Sequence, residues 1–416
     1  MKTKQKILAF LISSSCVFTA CYQETLKIEE SPFLFENEVH SIDIKPNDER
    51  FDISQYIDSV VYVKLELTDE SIIGNIEKVL VFENCIYVMD GQTSSLFMFD
   101  MEGNYLSKIC KIGNGPGEYT RLDFFNIDVE KRHIVLTDLM SYWNIRYDMN
   151  GNYLSRKKIP VNTEGFAPLA KEQYISFSNF RNNKRFFEQE YNLVYLDSLM
   201  QIQKAYFPYN SSVLYDPFVQ FSIIPCGPFY TYSNELYFHY KMKNEIYRVS
   251  PEGVSLKYKF NIDNNNFDYS RINKKNNLME YVNDGKYWTI YNVCETHDIL
   301  FLSFSENTYP KAFMCYYSKL SGKSINSSAF TLSKFNFSGI PIASSNEWFI
   351  CELSVDNLLD YKNFVDKVNN SFQEQGYKGE RDLFLEHPAL IERKRLADKL
   401  TLDDNSVLMF YKLKSF

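Results

Sequence analysis

The chain of 416 residues is sparing with the residues that interrupt regular structure, holding 15 glycines and 13 prolines, and it has only five histidines. So little Gly and Pro excludes a collagen-like chain or a Pro/Gly-rich disordered one. Positive charge is short as well: 45 Lys and Arg stand against 53 Asp and Glu, a formal net charge of -8. Three of the bases, Lys2, Lys4 and Lys6, fall in an N-terminal leader whose removal leaves 42 against 53, or -11. Such a chain has no electrostatic footprint for nucleic acid. It contains no CxxC pair, no Cys/His cluster, and no HExxH, GxSxG, EF-hand or GxxxxGK[ST] string. The sequence therefore names no catalytic residue and no metal ligand. What the chain does have is apolar material, 45% hydrophobic and 16% aromatic with 31 Tyr and 34 Phe, enough for a large core.

The first twenty residues read as a signal peptide. The three lysines precede an apolar stretch from Ile7 to Ile12 that continues weakly to Phe18, too short to cross a bilayer core of roughly 30 Å. Its end, Val17-Phe18-Thr19-Ala20-Cys21, resembles the lipobox of bacterial lipoproteins, with Phe18 where an aliphatic residue is usual and Cys16 as a rival. That resemblance implies lipidation at Cys21 and attachment to a membrane surface through acyl chains, each buried CH2 contributing about 0.8 kcal/mol. The expected location is the bacterial outer membrane or cell surface. The other six cysteines, Cys85, Cys110, Cys226, Cys294, Cys315 and Cys351, are scattered, several inside apolar runs such as Trp348 to Cys351. Export permits disulfides, but this placement favours buried free thiols.

An internal repeat carries the fold. Phe99-Asp100-Met101-Glu102-Gly103-Asn104-Tyr105-Leu106-Ser107-Lys108 and Tyr147-Asp148-Met149-Asn150-Gly151-Asn152-Tyr153-Leu154-Ser155-Arg156 match at seven of ten positions, 48 residues apart. Each is a strand end, an Asp, a tight turn with Gly and an alternating strand, which is a β-hairpin. Weaker echoes lie at Tyr195 to Gln201, Val249 to Gly253 and Tyr317 to Gly322. A period near 50 with several strands per unit is that of a β-propeller blade. The expected class is thus all-β, a six-bladed β-propeller, with blades near residues 72–112, 120–160, 164–207, 226–262, 288–331 and 338–416. The early strand Val60 to Leu65 has no blade of its own, and the last unit ending at Leu413 lacks an outer partner, so their pairing would close the ring.

The division expected is a signal peptide over 1–20, an N-terminal linker and lead-in over 21–59 and the propeller over 60–416. Two helical insertions are expected, at about 262–284 and, in the last blade, about 353–403. In the second, Leu358, Tyr361, Val365 and Val368 recur at helical spacing, with Asp356 or Asn357 as cap, and a further helix runs from about Pro388 to Leu400. Such insertions serve as lids, partner surfaces or packing buttresses.

After the first blade comes Lys111-Ile112-Gly113-Asn114-Gly115-Pro116-Gly117-Glu118-Tyr119. This run resembles the link of NHL-type repeats, and more closely that of the six-bladed β-propeller lipoproteins of anaerobic gut bacteria, an NHL/TolB-like group. The resemblance extends over most of the mature chain, and it implies a cell-envelope lipoprotein that binds a ligand or partner. The Arg that NHL repeats carry before the aromatic-Asp pair is missing, since Ser95 and Trp143 stand near that position. Read from the residues, Gly113, Gly115, Pro116, Gly117, Glu118 and Tyr119 are a structural motif: the glycines allow unusual backbone angles, Pro116 stiffens the crossing and Glu118 bonds backbone amides.

A ligand site, if assembled, belongs at one mouth of the central channel, lined by inner strands and the loops before them. The candidates are Arg121, Asp123, Phe166, Tyr230 and Tyr291, with Phe124 and Tyr232 beside them; taken singly, each aromatic is more readily read as ordinary blade-to-blade packing. Aromatic faces with a few polar groups suit a glycan or peptide. The expected function is a binding or scaffold module for a peptide, glycan or envelope protein, with no nucleic-acid partner. The alternative is a propeller enzyme of the calcium-dependent lactonase or lyase type, sited in the channel. No cofactor is indicated by the sequence, calcium being left open.

Overall fold

The computed structural model describes residues 25–36, 38–214, 227–240, 243–264, 288–306, 309–333, 335–337, 339–374 and 387–416. Its strands form six antiparallel blades in a ring, a β-propeller. Blade 1 holds Ile76–Phe82, Cys85–Asp90, Ser95–Asp100 and Tyr105–Ile109, and blade 2 holds Phe124–Asp128, His133–Asp138, Trp143–Tyr147 and Tyr153–Lys158. Blades 3, 4 and 5 begin with Gly165–Leu169, Phe229–Tyr232 and Trp288–Glu295. In blades 1 to 5 the chain moves outward from the first strand, which lines the channel.

The hairpin repeat has a physical cause visible in three blades. Asp100 Oδ1 accepts from the amides of Glu102 and Asn104 at 3.0 and 2.8 Å. Asp148 Oδ1 does the same for Asn150 and Asn152 at 2.9 and 2.8 Å, and Asp197 Oδ1 for Leu199 and Gln201 at 2.9 Å each. One carboxylate thus satisfies the turn amides that the ladder cannot reach. Gly103 and Gly151 complete the first two turns with φ of +88° and +80°.

The core is divided among the blade interfaces. Between blades 1 and 2, for example, Tyr87, Met98 and Leu96 pack on Phe125, Leu136 and Tyr147, all buried. Each such side chain contributes about 1.5–3 kcal/mol on burial. This is where most of the aromatic excess goes.

Blade 6 is closed by both ends of the chain. Its order is Ala343–Ser344, Phe349–Leu353, Val407–Leu413 and then Ile57–Lys64, with registers running from Val407 opposite Lys64 to Leu413 opposite Ile57. The early strand therefore supplies the outer partner that the last unit lacked. Asn405 adds a clamp to blade 1, donating to the carbonyls of Glu66 and Ser71 and accepting from the Ile73 amide.

Ahead of the closing strand, residues 25–56 run as a belt over blades 3, 4 and 5. Leu26 bridges to Phe187, Phe33 packs on Tyr206 and Phe207, and His40–Ile44 adds a parallel fifth strand to blade 4 against Gly253–Ile262. Arg50–Asp52 then pairs with Ala329–Leu332 beside blade 5.

The insertion in blade 6 contains helices Val355–Glu374 and Pro388–Ala397. The first helix is capped two or three residues earlier than Asp356 or Asn357 would do it: the Ser354 hydroxyl accepts from the Asn357 amide at 3.3 Å. A serine immediately before the first helical residue reaches the third free amide, which residues inside the turn cannot do. The second helix has His387 as cap, accepting from Ala389 at 3.2 Å. Leu358, Tyr361, Val365 and Leu390 pack these helices into the core between blades 5 and 6. No described helix is long and apolar enough to cross a membrane. The insertion expected at about 262–284 lies almost wholly outside the described residues, as do Cys21 and Cys226. No disulfide joins the five described cysteines; Cys294, Cys315 and Cys351 are buried, Cys85 is partly buried and Cys110 is exposed.

Candidate functional site

All six inner strands start at one mouth of the channel and finish at the other, so the two mouths differ in chemistry. At the entry mouth, where they start, charged groups of blades 1 to 3 gather. Arg121 donates to Asp123 Oδ1 at 2.7 Å, Asp123 Oδ2 accepts from the Leu139 amide at 2.7 Å, and Arg181 pairs with Glu164. Burial pushes the Asp123 and Glu164 carboxyls above the ordinary carboxylate range, opposed in each case by its arginine. Two further buried carboxylates fasten the loops here: Asp90 accepts from Gly74, Gln92 and Thr93, and Asp138 accepts from Thr120 and Ser141. They end the second strands of blades 1 and 2 and are parts of the scaffold.

The link motif closes on itself. Glu118 Oε2 accepts from the Gly115 amide at 2.7 Å, and a Cβ at Gly113 would lie 2.1 Å from the same oxygen. Gly117 has φ +75°, with its carbonyl receiving the Tyr147 hydroxyl at 2.7 Å. Tyr119 is buried and donates to the carbonyls of Ser94 and Ile109. These bonds tie blade 1 to blade 2.

Inside the channel, side chains of one inner strand hold the backbone of the next. Lys78 donates to the Phe125 carbonyl at 2.8 Å and to Asn126 Oδ1 at 3.3 Å, Asn126 donates to the Phe166 carbonyl at 2.9 Å, and Asn292 to that of Pro341 at 2.7 Å. Between blades 4 and 5, buried Glu295 accepts from Tyr230, Tyr258 and Lys319 at 2.9, 2.8 and 3.0 Å. Burial and the adjacent Glu295 charge raise the Tyr230 phenol well above its ordinary value, fixing it as a donor.

At the exit mouth the channel widens into a cavity of about 700 Å³, within the range of small-molecule and glycan sites. Half-buried Phe82, Tyr230, Tyr232 and Trp348 stand in its wall with Lys78 and Asn126. A second chamber of about 340 Å³ adjoins it and shares Asn126, Ile127, Val129, Thr231 and Asn234. The rim is made of the turns from first to second strand, and Glu83, Arg132, Ser233 and Asn234 take positive φ there.

The five residues singled out from sequence are not brought together. Arg121 and Asp123 form a pair at the entry mouth, Phe166 is buried against Tyr174, and Tyr291 is the bulged residue of its inner strand. Tyr230 lines the exit cavity. Lys78, Asn234, Asn346 and Trp348 were not among the site residues expected from the sequence. Their signal is the repeated turn: Ser233-Asn234-Glu235 recurs as Ser345-Asn346-Glu347 in blade 6.

A model of one family matches residues 39–412, nearly the whole ring and most of the belt. The chain belongs to the DUF4934 family. That family is described as a domain of unknown function, and no curated protein matches the sequence. Among solved structures this DUF4934 chain is similar to a protein of Bacteroides fragilis NCTC 9343 described as exported, at 19% identity and TM-score 0.67, covering 90% of this chain and 99% of that one. It also matches a DUF4221 family member from Bacteroides vulgatus at 9% identity and TM-score 0.46, covering 86% and 98%. The first likeness supports the fold of the DUF4934 chain; the second is too distant to add to it. Among the described residues, no group of three or more His, Cys, Asp or Glu is placed to hold a metal ion.

Proposed function

We propose that this protein is an exported, lipid-anchored module of the bacterial cell envelope that binds its ligand at the exit mouth of the channel. The observation that carries the reading is the cavity itself: aromatic faces and uncommitted amide and hydroxyl groups surround an opening of about 700 Å³. Lipidation of Cys21 would hold the ring at an outer-membrane or cell surface, where a peptide, glycan or protein partner is within reach. The NHL-type likeness of the Gly113 to Tyr119 link agrees with a propeller of this kind.

Two measurements test it. Cys21→Ser should move the protein from the membrane to the soluble fraction and abolish incorporation of labelled palmitate; unchanged fractionation would remove the anchor. Hydrogen exchange in the presence of envelope extract should slow in the turns at 129–132, 233–234 and 345–348. Protection confined to the entry mouth or the helices would place the binding surface elsewhere.

A further inference from the structure

The exit mouth has an arrangement of charge that narrows the class of ligand, given the reading above that it is a binding site. Of the charged side chains lining its two chambers, nearly all are already paired within the protein. Glu83 holds Arg132 at 2.7 Å, Glu347 holds Lys412, Glu235 faces Arg248 at 3.6 Å, and Asp128 holds Arg146 at 2.8 Å. Lys78 is spent on the blade 2 backbone, and Glu130 accepts from the Lys171 amide at 2.9 Å. An ionic ligand would have to break such a pair to gain its own, and the exchange returns little.

The neutral polar groups are the ones left over. The side chains of Thr231, Ser233, Asn234 and Asn346 make no hydrogen bond within the described protein, and all four line the cavity or its rim. They alternate with rings held by neighbouring groups: Tyr230 is stacked on Tyr237 with centroids 5.3 Å apart, Lys319 lies 4.1 Å from the Tyr232 ring centre, and Lys412 lies 5.0 Å from that of Trp348. Held rings next to free amides and hydroxyls complement a surface of C–H faces and hydroxyl groups. A peptide adding to the inner strands would need their channel-facing carbonyls, and those of Phe125, Phe166 and Pro341 are taken by the neighbouring blade. The adjoining chamber, reached past Asn126 and Asn234, gives room for a chain of units beyond the first.

We infer that the exit mouth takes an uncharged oligosaccharide, with its leading rings against Tyr232 and Trp348 and the following ones beside Asn234. The test uses the full-length mature protein and three probe sets: malto-, cello-, xylo- and manno-hexaoses with their trisaccharides, a heparin hexasaccharide and oligogalacturonate, and a library of random decapeptides. Calorimetry should show binding of at least one neutral hexaose, with affinity changing less than about twofold between about 50 and about 500 mM salt. Trp348→Ala and Tyr232→Ala should each weaken it by about tenfold or more. Trp348→Tyr should retain most of the affinity, which separates loss of a stacking face from loss of fold. Asn234→Ala should lower the preference for hexaose over trisaccharide. Binding of only the charged sugars or the peptides, lost in Trp348→Ala, would leave the site standing and overturn the ligand class. Neutral-sugar binding that ignores both aromatic variants would overturn the site. Failure of the wild-type protein to bind any neutral hexaose would overturn the inference outright.

Discussion

The ion pair between Arg146 and Asp128 offers the sharpest test of how the ring is held beside that site. Arg146 is 6% exposed and Asp128 5%, and Nη1 donates to Asp128 Oδ2 at 2.8 Å. Nε and Nη2 of the same guanidinium donate to the Tyr174 hydroxyl of blade 3 at 3.2 and 3.0 Å. Asp128 also lines the smaller chamber. Asp128→Ala removes the counter-charge and leaves a buried guanidinium without its carboxylate, at an expected cost of about 3–5 kcal/mol. Tyr174→Phe keeps the ion pair and loses one acceptor, at a cost of about 1–2 kcal/mol. Replacing both charges by apolar groups, Asp128→Leu with Arg146→Met, should recover most of the loss, because the desolvation cost disappears together with the attraction. Urea unfolding followed by tryptophan fluorescence reads all three, provided the slope of the transition is unchanged. If Asp128→Ala costs less than about 1 kcal/mol, or the double variant is as unstable as its two singles combined, the pair is solvated and the reasoning fails.

Two other outcomes follow from the structure. Removal of residues 406–416 takes away Val407–Leu413, the strand between Phe349–Leu353 and Ile57–Lys64. The truncated chain should lose cooperative thermal unfolding, and a sharp transition at the full-length temperature would refute closure by that strand. Stability should also fall as pH drops from about 7 to about 5. Burial and then the Arg146 charge hold His133 below the ordinary histidine value of 6.5, partly offset by Asp128, with Lys131 acting with Arg146 and Asp148 against it. Burial also lowers His387. Their stabilising share is present above that value and is lost as pH falls through their folded values, because the unfolded chain takes the protons first. Asp123 and Glu164, raised by burial, act the other way at lower pH, where keeping a proton favours the folded state. A urea midpoint that does not move over this interval, or that moves equally in His133→Gln, would count against the role given to His133.

The ring was legible in the sequence because its cause is local. Asp100 and Asp148 each bond amides two and four residues ahead, so any chain using that turn must repeat the same short string. The closing strand was legible for a different reason, as a strand-like run with no partner nearby. The helical insertion showed through its own spacing, though its cap sits at Ser354, outside the apolar pattern. The belt was harder to read: His40–Ile44 is five residues long and finds its partner at Tyr258 to Ile262, more than two hundred positions away. The exit mouth was harder still. Lys78, Asn126, Tyr232 and Trp348 arrive one per blade, so no spacing between them carries information, and Tyr230 was visible only as one aromatic among many. Arg146 and Asp128 lie 18 residues apart on different strands of one blade, and only the pleat brings them together.

The closing strand also has a meaning in time. Ile57–Lys64 is made more than three hundred residues before its partner Val407–Leu413. Until that partner is made the edge waits with its amides and carbonyls unpaired, and five blades can form before the sixth has a complete sheet. An unpaired strand edge is also a template for other chains. The cell that makes this protein therefore has a long interval in which the first folded part must be kept from the wrong neighbours, and a single late event that ends it.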